Sequence, residues 1–423
     1  MYLLKNAKVY DAEIDYAALD ILVDGSKIVQ VAESIEAPAG CEVLDMTGCT
    51  VLPCFVDAHV HAGMRAKGVF VDNILRKLAR RGVSLCKDDG ILASVPLEPY
   101  LEFLGTCKTP RHARVVTAGR YIDVEGGYGM GPGAHMGGPK GPGGGPGGPG
   151  APGGPKPEGD QPEMPGMPEM DMDSVMGTGW GIKIETAEEA ADAVTYQFKA
   201  GTDGVKIGIS DHGAELTDEM IQAITDRAKS HGMWTTAHVG SSRALQKLVD
   251  NGIGEGAHTP ADRMSDELIA QMVRGGISMI TTVGELKTEV GPMDHMMNPG
   301  VPDEELKQRW IDRRNVMLDN LKRFYDAGGV IAIGTDLMNS DAKARIPVDE
   351  LEALRSTGIP MHEVVRCGTA NAVKVCALDD EGYVKAGMLA NLIAIQGELD
   401  EKFTKLDPPV FVMNQGSILR DER

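Results

Sequence analysis

The sequence predicts an α/β protein in which a (β/α)8 TIM barrel with a parallel sheet carries a small β-sandwich domain built from both chain ends. From about residue 55, short apolar segments alternate with amphipathic helical segments, and about eight strands can be counted. Residues 1–53 instead contain only short strands separated by Asp-Gly and Pro-Ala-Gly turns, and similar strands return near the C-terminus.

We therefore expect residues 1–54 and 379–423 to form the β-sandwich and residues 55–378 to form the barrel, because either end alone would leave unpaired strand edges. The barrel strands are expected in "FVDAHVH", "VSLCKD", "ARVVTAGRYI", "TDGVKIGIS", "MWTTAHVG", "IGEGAHT", "ISMITTV" and "GVIAIGTD". Helical segments separate them, including "TAEEAADAVTYQFKAG" and a long helix near 303–327.

Composition excludes several classes of partner. The 423 residues carry a formal charge of −20, with 62 acidic against 42 basic side chains, so we expect no nucleic-acid or membrane partner. The first segment, "MYLLKNAKVYDAE", predicts a strand and not a signal peptide, and we expect a cytoplasmic protein. Seven cysteines without Cys-x-x-Cys spacing predict reduced thiols.

Ionisable residues lie at the ends of several predicted strands. The two histidines of "DAHVH" are two residues apart, so both side chains point to the same face of their strand. Because the carboxyl ends of barrel strands form one rim, where active sites lie, we expect six side chains to converge there. They are His59, His61, Lys206, His238, His258 and Asp336.

These residue types predict a metal centre. Imidazole and carboxylate groups suit one or two zinc-like ions, and unpaired ionisable groups are costly to bury by chance. An unmodified Lys206 ammonium beside two dications would be repelled, whereas a lysine carboxylated by CO₂ would present two anionic oxygens able to bridge them.

The chain resembles the amidohydrolase superfamily, in particular the branch of imidazolonepropionase-like proteins and Xaa-Pro dipeptidases. The resemblance runs through nearly the whole chain outside a Gly/Pro-rich tract. It is carried by "VLPCFVDAHVH", "RGVSLCKDDG", "AGTDGVKIGIS", "AKSHGMWTTAHVGS", "NGIGEGAHT", "AGGVIAIGTD", "TANAVKV" and "GYVKAGMLANLIAI". These segments together are specific, although each alone is a weak motif.

The resemblance implies a binuclear centre, with zinc the expected metal. His59, His61 and Asp336 would hold one ion, His238 and His258 the other, and a carboxylated Lys206 would bridge them. A metal-bridging hydroxide would then attack the carbonyl carbon of an amide-type C–N bond, with Asp336 as general base and then general acid. The implied substrates are N-acyl amino acids, dipeptides or cyclic amides, and the family's barrels commonly assemble as homo-oligomers.

The substrate contacts follow the family pattern less closely. Many relatives have a Gly-Gly-His segment after the third strand, whereas "EGGYGMGPGAH" places Tyr128 there and delays the histidine to His135, which counts against dipeptidase activity. Arg65 and His212 are further candidates, because they follow strands on the same rim.

Two alternatives stay open on sequence alone. A deaminase with a single metal could use the same scaffold, although such deaminases generally lack a lysine bridge. A non-catalytic assembly protein would not need six clustered ionisable groups, which destabilise a fold when no metal pairs them.

The Gly/Pro-rich tract lies in a loop on the catalytic rim. In "GPKGPGGGPGGPGAPGGP", residues 138–155, glycine occupies every third position, as in collagen, but six triplets are few. The expected insertion, about 126–181, is much longer than an ordinary loop of about 2–6 residues. We expect deletion of 136–172 to leave the metal site intact and to alter substrate range or assembly; a simple spacer is the alternative.

Overall fold

The computed structural model describes residues 1–64, 68–92, 95–128, 181–209, 211, 213–284, 290–291, 294–295, 298–338 and 343–423. The strands are β1 Tyr2–Val9, β2 Ala17–Asp24, β3 Lys27–Ala32, β4 Glu42–Asp45, β5 Cys49–Pro53, β6 Phe55–Val60, β7 Val83–Asp88, β8 Arg114–Thr117, β9 Tyr121–Asp123, β10 Gly181–Lys183, β11 Gly204–Gly208, β12 Trp234–His238, β13 Glu255–Ala257, β14 Ser278–Thr281, β15 Ile331–Ile333, β16 Leu392–Gln396, β17 Phe411–Asn414 and β18 Ser417–Asp421. The helices are α1 Gly68–Arg80, α2 Leu97–Thr106, α3 Ala187–Ala200, α4 Asp218–Ser230, α5 Ser242–Asp250, α6 Asp266–Gly275, α7 Asp303–Asp326, α8 Val348–Ser356, α9 Met361–Gly368 and α10 Ala370–Val375.

Parallel strands form the barrel, and within the described residues they fall into two sheets. One sheet has the order β6-β7-β8 and the other the order β10-β9-β11-β12-β13-β14-β15. Backbone hydrogen bonds of 2.9 Å join the sheets at both edges, from Asp203 N–H to the Thr117 carbonyl and from Asp336 N–H to the His59 carbonyl. The barrel ring is therefore β6, β7, β8 and β11 to β15, while β9 continues from β8 and pairs with β10.

Local sequence explains where the barrel helices begin and end. Four helices start after a Ser or Thr whose side-chain oxygen accepts the backbone N–H three residues ahead, which satisfies one of the free donors of the first turn. These residues are Thr186, Thr217, Ser241 and Ser265. Helix α3 ends at Gly201, whose φ of 102° lies in the left-handed region that glycine adopts without strain. The start of each of these four helices is thus fixed by the residue that precedes it.

A mixed sheet joins the two ends of the chain. Its order within the described residues is β18-β17-β16-β5-β1-β2-β3, and β4 pairs with β1. Strand β5 makes the connection, because it runs parallel to β1 and antiparallel to β16, with Leu52 opposite Ile393. Val51, Leu392 and Phe411 are buried in one cluster beside this sheet, so apolar side chains from both ends share one core.

The predicted fold class, an α/β barrel with a β domain from both chain ends, is confirmed. The long helix expected near 303–327 is α7. All seven cysteines are free thiols, and six of them are buried. The boundaries at 54/55 and 378/379 remain our proposal, and most of the insertion expected at about 126–181 lies outside the described residues. Among the described helices, none combines the length and the apolar character that crossing a membrane requires.

Candidate metal centre

The two histidines of the predicted centre lie at the end of β6, His59 within the strand and His61 directly after it. Both rings are buried, with centroids 5.1 Å apart, and both Nε2 atoms lie 3.5 Å from the Asp336 Oδ1 atom. The Nδ1 atom of His61 lies 3.0 Å from the Gly90 carbonyl oxygen, which favours the tautomer with a free Nε2. Burial lowers the pKa of His61 to about 4, so this imidazole is neutral near pH 7.

Asp336 is held where β15 meets β6. Its φ of 51° lies in the left-handed region, and its neighbour Thr335 donates both its N–H, at 2.9 Å, and its hydroxyl, at 2.5 Å, to the Asp57 carboxylate. Gly334 permits this close approach, because a Cβ there would lie 2.4 Å from the His59 Cβ. Burial opposes ionisation of Asp336, but His59 and the other imidazoles hold its pKa well below the usual value. This carboxylate is therefore ionised.

His238 and His258 complete a group of imidazoles. The His258 ring centroid lies 4.6 Å from that of His238 and 4.8 Å from that of His59. His258 also has a left-handed φ, 74°, and its Nδ1 lies 2.8 Å from the Thr282 hydroxyl oxygen. Burial lowers the pKa of His258 to about 3 and that of His238 well below its usual value. Both rings are thus in the neutral form that binds metals.

Lys206 lies in the barrel interior and reaches the group through a carboxylate. Its Nζ is 3.1 Å from the Asp89 Oδ2 atom, and the same oxygen is 3.0 Å from the His59 Nδ1 atom. All three side chains are fully buried. Burial lowers the pKa of Lys206, which favours its neutral amine.

The unsatisfied atoms of this cavity fit a divalent ion. Within the described part of the chain, His59 Nε2 and Asp336 Oδ1 are buried without a hydrogen-bond partner. His59, His61 and Asp336 each offer one ligand atom within 4.8 Å of the others. A tetrahedral zinc ion with bonds of about 2.0–2.1 Å separates its ligand atoms by roughly 3.3 Å, close to the spacing between the imidazole nitrogens and Asp336.

A second group of candidate ligands lies away from this cavity. Asp72, Cys107 and His112 have potential ligand atoms within 4.8 Å of one another. However, His112 is already paired, with Thr109 at 2.8 Å and with Asp72 at 2.9 Å, and Arg76 lies 2.6 Å from the same carboxylate. These side chains satisfy one another, and we assign no metal to them.

Of the four predicted substrate contacts, only Tyr128 lies within the described residues. Its ring stacks on that of His238, with centroids 3.7 Å apart and planes inclined by 17°. Tyr128 therefore contacts a predicted metal ligand, and its role in substrate binding stays a prediction. Arg65, His135 and His212 lie outside the described residues.

Sequence analysis missed three buried charged residues near the centre. Asp89 contacts His59 and Lys206, while the Lys87 ammonium forms an ion pair with the Glu255 carboxylate and lies 3.9 Å from the centroid of the Trp234 ring. Charged residues inside apolar strands, in "SLCKDDG" and "IGEGAHT", were the available indication.

The fold and site geometry are consistent with one family. The model of the amidohydrolase family matches residues 165–419, more than half of the chain. The chain belongs to the amidohydrolase family. Similarity of this amidohydrolase to individual curated proteins is partial: an uncharacterized protein of Mycobacterium tuberculosis is 27% identical over 201 residues, 44% of this chain and 50% of that protein. The match thus spans about half the length of that relative.

Two further comparisons place the amidohydrolase among known proteins. A dihydroorotase of Streptococcus thermophilus is 48% identical over 63 residues, 14% of either chain. The solved structure of a Xaa-Pro dipeptidase with bound methionine in its active site superposes with a TM-score of 0.74 at 20% identity, covering 99% of both chains. The second comparison supports the barrel fold.

Proposed function

We propose that this amidohydrolase hydrolyses an amide-type C–N bond at a binuclear metal centre. The observation that carries the proposal is the buried group of His59 Nε2, His61 Nε2 and Asp336 Oδ1, in which two atoms lack hydrogen-bond partners among the described residues. A protein interior tolerates such atoms poorly unless a bound group satisfies them.

The chain offers the donors for two ions of the zinc type. His59, His61 and Asp336 are assigned to one ion, and His238 and His258 to the other, with Lys206 as the bridging ligand after carboxylation. For three of the four imidazoles, His61, His238 and His258, the lowered pKa supports this assignment, because the neutral imidazole is the ligand form. When bound, such ions polarise a carbonyl oxygen and lower the pKa of a water molecule.

Asp336 is proposed to move the proton of the reaction. Its carboxylate is ionised, and its side chain is 28% exposed while those of His59 and His61 are buried. It therefore faces the cavity and can accept a proton from the attacking water. The same carboxyl group then donates that proton to the leaving nitrogen, so the amine departs neutral.

The substrate class is proposed to be an N-acyl amino acid, a dipeptide or a cyclic amide. Similarity to a dipeptidase structure and to a dihydroorotase covers both an open-chain and a cyclic C–N bond. The Tyr128 ring, stacked on His238, supplies an apolar surface with a hydroxyl beside the centre. We also propose a homo-oligomer in the cytoplasm that acts on a small molecule, and we propose that the insertion at about 126–181 affects substrate range or assembly.

A deaminase with one metal ion is the second candidate, and one observation favours it. The Lys206 Nζ lies 3.1 Å from the Asp89 Oδ2 atom, so an unmodified lysine has a partner in this cavity. A centre with that ion pair would not need a second ion.

Metal analysis with product identification tests the proposal. We expect two equivalents of metal per chain and hydrolysis of at least one compound in a panel of N-acyl amino acids, dipeptides and cyclic amides. Removal of metal with a chelator should abolish the activity, and added zinc should restore it relative to protein carried through the same dialysis. One equivalent of metal with release of ammonia would favour the deaminase, and full activity of metal-free protein would overturn both candidates.

A further inference from the structure

Asp89 lies directly behind the predicted metal ligands. It follows β7, is fully buried, and donates its backbone N–H to the carbonyl oxygen of Val60, the residue between His59 and His61, at 2.8 Å. The next residue, Gly90, supplies the carbonyl oxygen that contacts His61 Nδ1. This segment therefore fixes the backbone and one ring of the strand that carries both histidines.

The Asp89 side chain joins two ligands through one oxygen. Oδ2 lies 3.0 Å from His59 Nδ1 and 3.1 Å from Lys206 Nζ, and the opposite nitrogen of His59 faces Asp336. The other oxygen, Oδ1, is buried and has no hydrogen-bond partner among the described residues. Oδ2 thus accepts a hydrogen bond from Lys206 and lies in ion-pair contact with His59 Nδ1, an atom that has no hydrogen bond within the described residues.

The preceding residue provides a contrast. Asp88 is equally buried, but its Oδ2 accepts the Tyr100 hydroxyl at 2.5 Å and the Thr117 hydroxyl at 3.1 Å. Asp88 therefore connects β7 with α2 and β8, and its hydrogen bonds are structural. The two adjacent aspartates are equally buried but contact different residues, so Asp88 is a matched control for Asp89.

We propose that Asp89 is a positioning residue of the metal centre, whose Oδ2 orients His59 and Lys206 both before and after Lys206 is carboxylated. The proposal rests on the proposed function, because it takes the carboxylated lysine from there. Second partners of metal-binding histidines fix the ring orientation and strengthen metal binding. Asp89 would do this for His59 and for the lysine with the same atom.

After carboxylation, the Lys206 nitrogen still has one N–H that can be donated to Asp89. The neutral Lys206 amine attacks the carbon of CO₂, a C–O π pair moves to oxygen, and the nitrogen releases one proton to solvent as the N–C bond forms. The resulting carbamate keeps one N–H, and Asp89 Oδ2 lies within hydrogen-bond distance of that nitrogen. Holding this N–H restricts rotation of the new group and so fixes the direction of its oxygens.

Two substitutions of Asp89 test the proposal against Asp88→Asn. Asp89→Asn keeps one oxygen acceptor without the charge, and Asp89→Leu removes the acceptor at similar size. Bound metal is measured per chain after dialysis against buffers of graded chelator strength. The carbamate is measured by its carbon NMR signal after equilibration with ¹³C-bicarbonate.

We expect metal affinity to fall roughly 10- to 100-fold in Asp89→Leu and less in Asp89→Asn, with the carbamate signal weakened in the same order. Asp88→Asn should keep both properties within about twofold, because its hydrogen bonds do not reach the centre. A purely structural Asp89 would instead leave metal affinity unchanged in any variant that folds.

The outcomes separate this inference from the proposed function. Wild-type protein that binds metal but gives no carbamate signal overturns the carboxylated lysine and the part of the inference that concerns it. Equal metal affinity of wild type and Asp89→Leu overturns the positioning of His59. A strong carbamate signal that is identical in wild type and Asp89→Leu overturns the positioning of Lys206 while leaving the proposed function intact.

Discussion

Two groups of buried ionisable side chains lie near opposite ends of β7 and differ in how they are paired. At the start of the strand, Glu381 is buried and accepts hydrogen bonds from the Ser84 hydroxyl, from Asn391 Nδ2 at 2.6 Å and from Arg114. Arg114 also forms two hydrogen bonds to Asp380, at 2.9 and 2.7 Å. Both oxygens of Glu381 therefore have donors supplied by the protein.

The group at the other end of β7 is incompletely paired. Within the described residues, buried atoms of His59, Asp89 and Asp336 lack hydrogen-bond partners. Two residues of this end, His258 and Asp336, also have a positive φ, which costs free energy in residues other than glycine. The difference indicates that the Glu381 group stabilises the fold. The group around His59 and Asp336 is instead arranged to bind a ligand that is not part of the polypeptide.

The largest expected effect tests the function of the incompletely paired group. Asp336→Asn should lower kcat by roughly 10²- to 10⁴-fold, because the general base is lost, while asparagine tolerates the left-handed φ. Steady-state kinetics on a substrate found in the panel measures this. Asp192→Asn, on the exposed surface of α3, is the control and should keep wild-type kcat. An Asp336→Asn enzyme with full activity would remove this carboxylate from the mechanism.

Glu381→Leu tests the group at the start of β7, in which both carboxylate oxygens of Glu381 are paired. It leaves Arg114, Ser84 and Asn391 without an acceptor in a buried place, so we expect the free energy of unfolding to fall by about 3 kcal/mol. Denaturant unfolding measures the change, and kcat of the folded protein should stay the same. Glu352→Leu, on the exposed side of α8, should change unfolding by less than about 0.5 kcal/mol. If Glu381→Leu lowered kcat but not the free energy of unfolding, the Glu381 group would have a catalytic role and not a structural one.

The pH dependence of stability sharpens the comparison. The pKa of His258 is about 3 in the folded protein, below the value of about 6.5 in an unfolded chain. Between these values the unfolded state binds more protons, so this histidine makes the free energy of unfolding fall as pH falls. His258→Asn should remove roughly 2 kcal/mol of the change between pH 7 and pH 5 in metal-free protein.

Unfolding of metal-free protein at several pH values measures the His258 contribution. His362→Gln, at a half-exposed position of α9, is the control for replacing a histidine. Parallel profiles for wild type and His258→Asn would mean that His258 is not buried as a neutral ring.

The smallest expected effect comes from a helix cap outside both groups, and it shows how activity responds to a small loss of stability. Thr217 accepts the Met220 N–H at the start of α4, and Thr217→Ala should cost about 1 kcal/mol of unfolding free energy. Thr217→Ser keeps the oxygen and should recover most of that loss. We expect kcat to be unchanged in both variants, and a change in kcat would mean that the rim responds to any loosening of the barrel.

Much of the site could be predicted because its spacing is local. His59 and His61 share a face by strand geometry alone, and His238, His258 and Asp336 each occur where a recognisable apolar segment ends. Lys206 was expected at a strand end, but it is the middle residue of β11. Their convergence then follows from barrel closure. Local patterns could not predict contacts between particular atoms, such as the distance of 3.5 Å from Asp336 Oδ1 to the Nε2 atoms of His59 and His61.

The adjacent aspartates illustrate what was missed. In "CKDDG" nothing distinguishes Asp88 from Asp89, yet one pairs with Tyr100 and Thr117 and the other with His59 and Lys206. The choice depends on how β7 ends against β6, which is a property of the register between strands.

By itself, the sequence determined the fold class and indicated the residue types of the candidate site, because periodicity and strand ends are local properties of the chain. Only the tertiary structure decided which buried charges are paired. Lys87 meets Glu255 across 168 positions of sequence, and Asp89 meets Lys206 across 117. Such pairs depend on barrel closure, which brings distant strands within hydrogen-bond distance, and no local pattern encodes that distance.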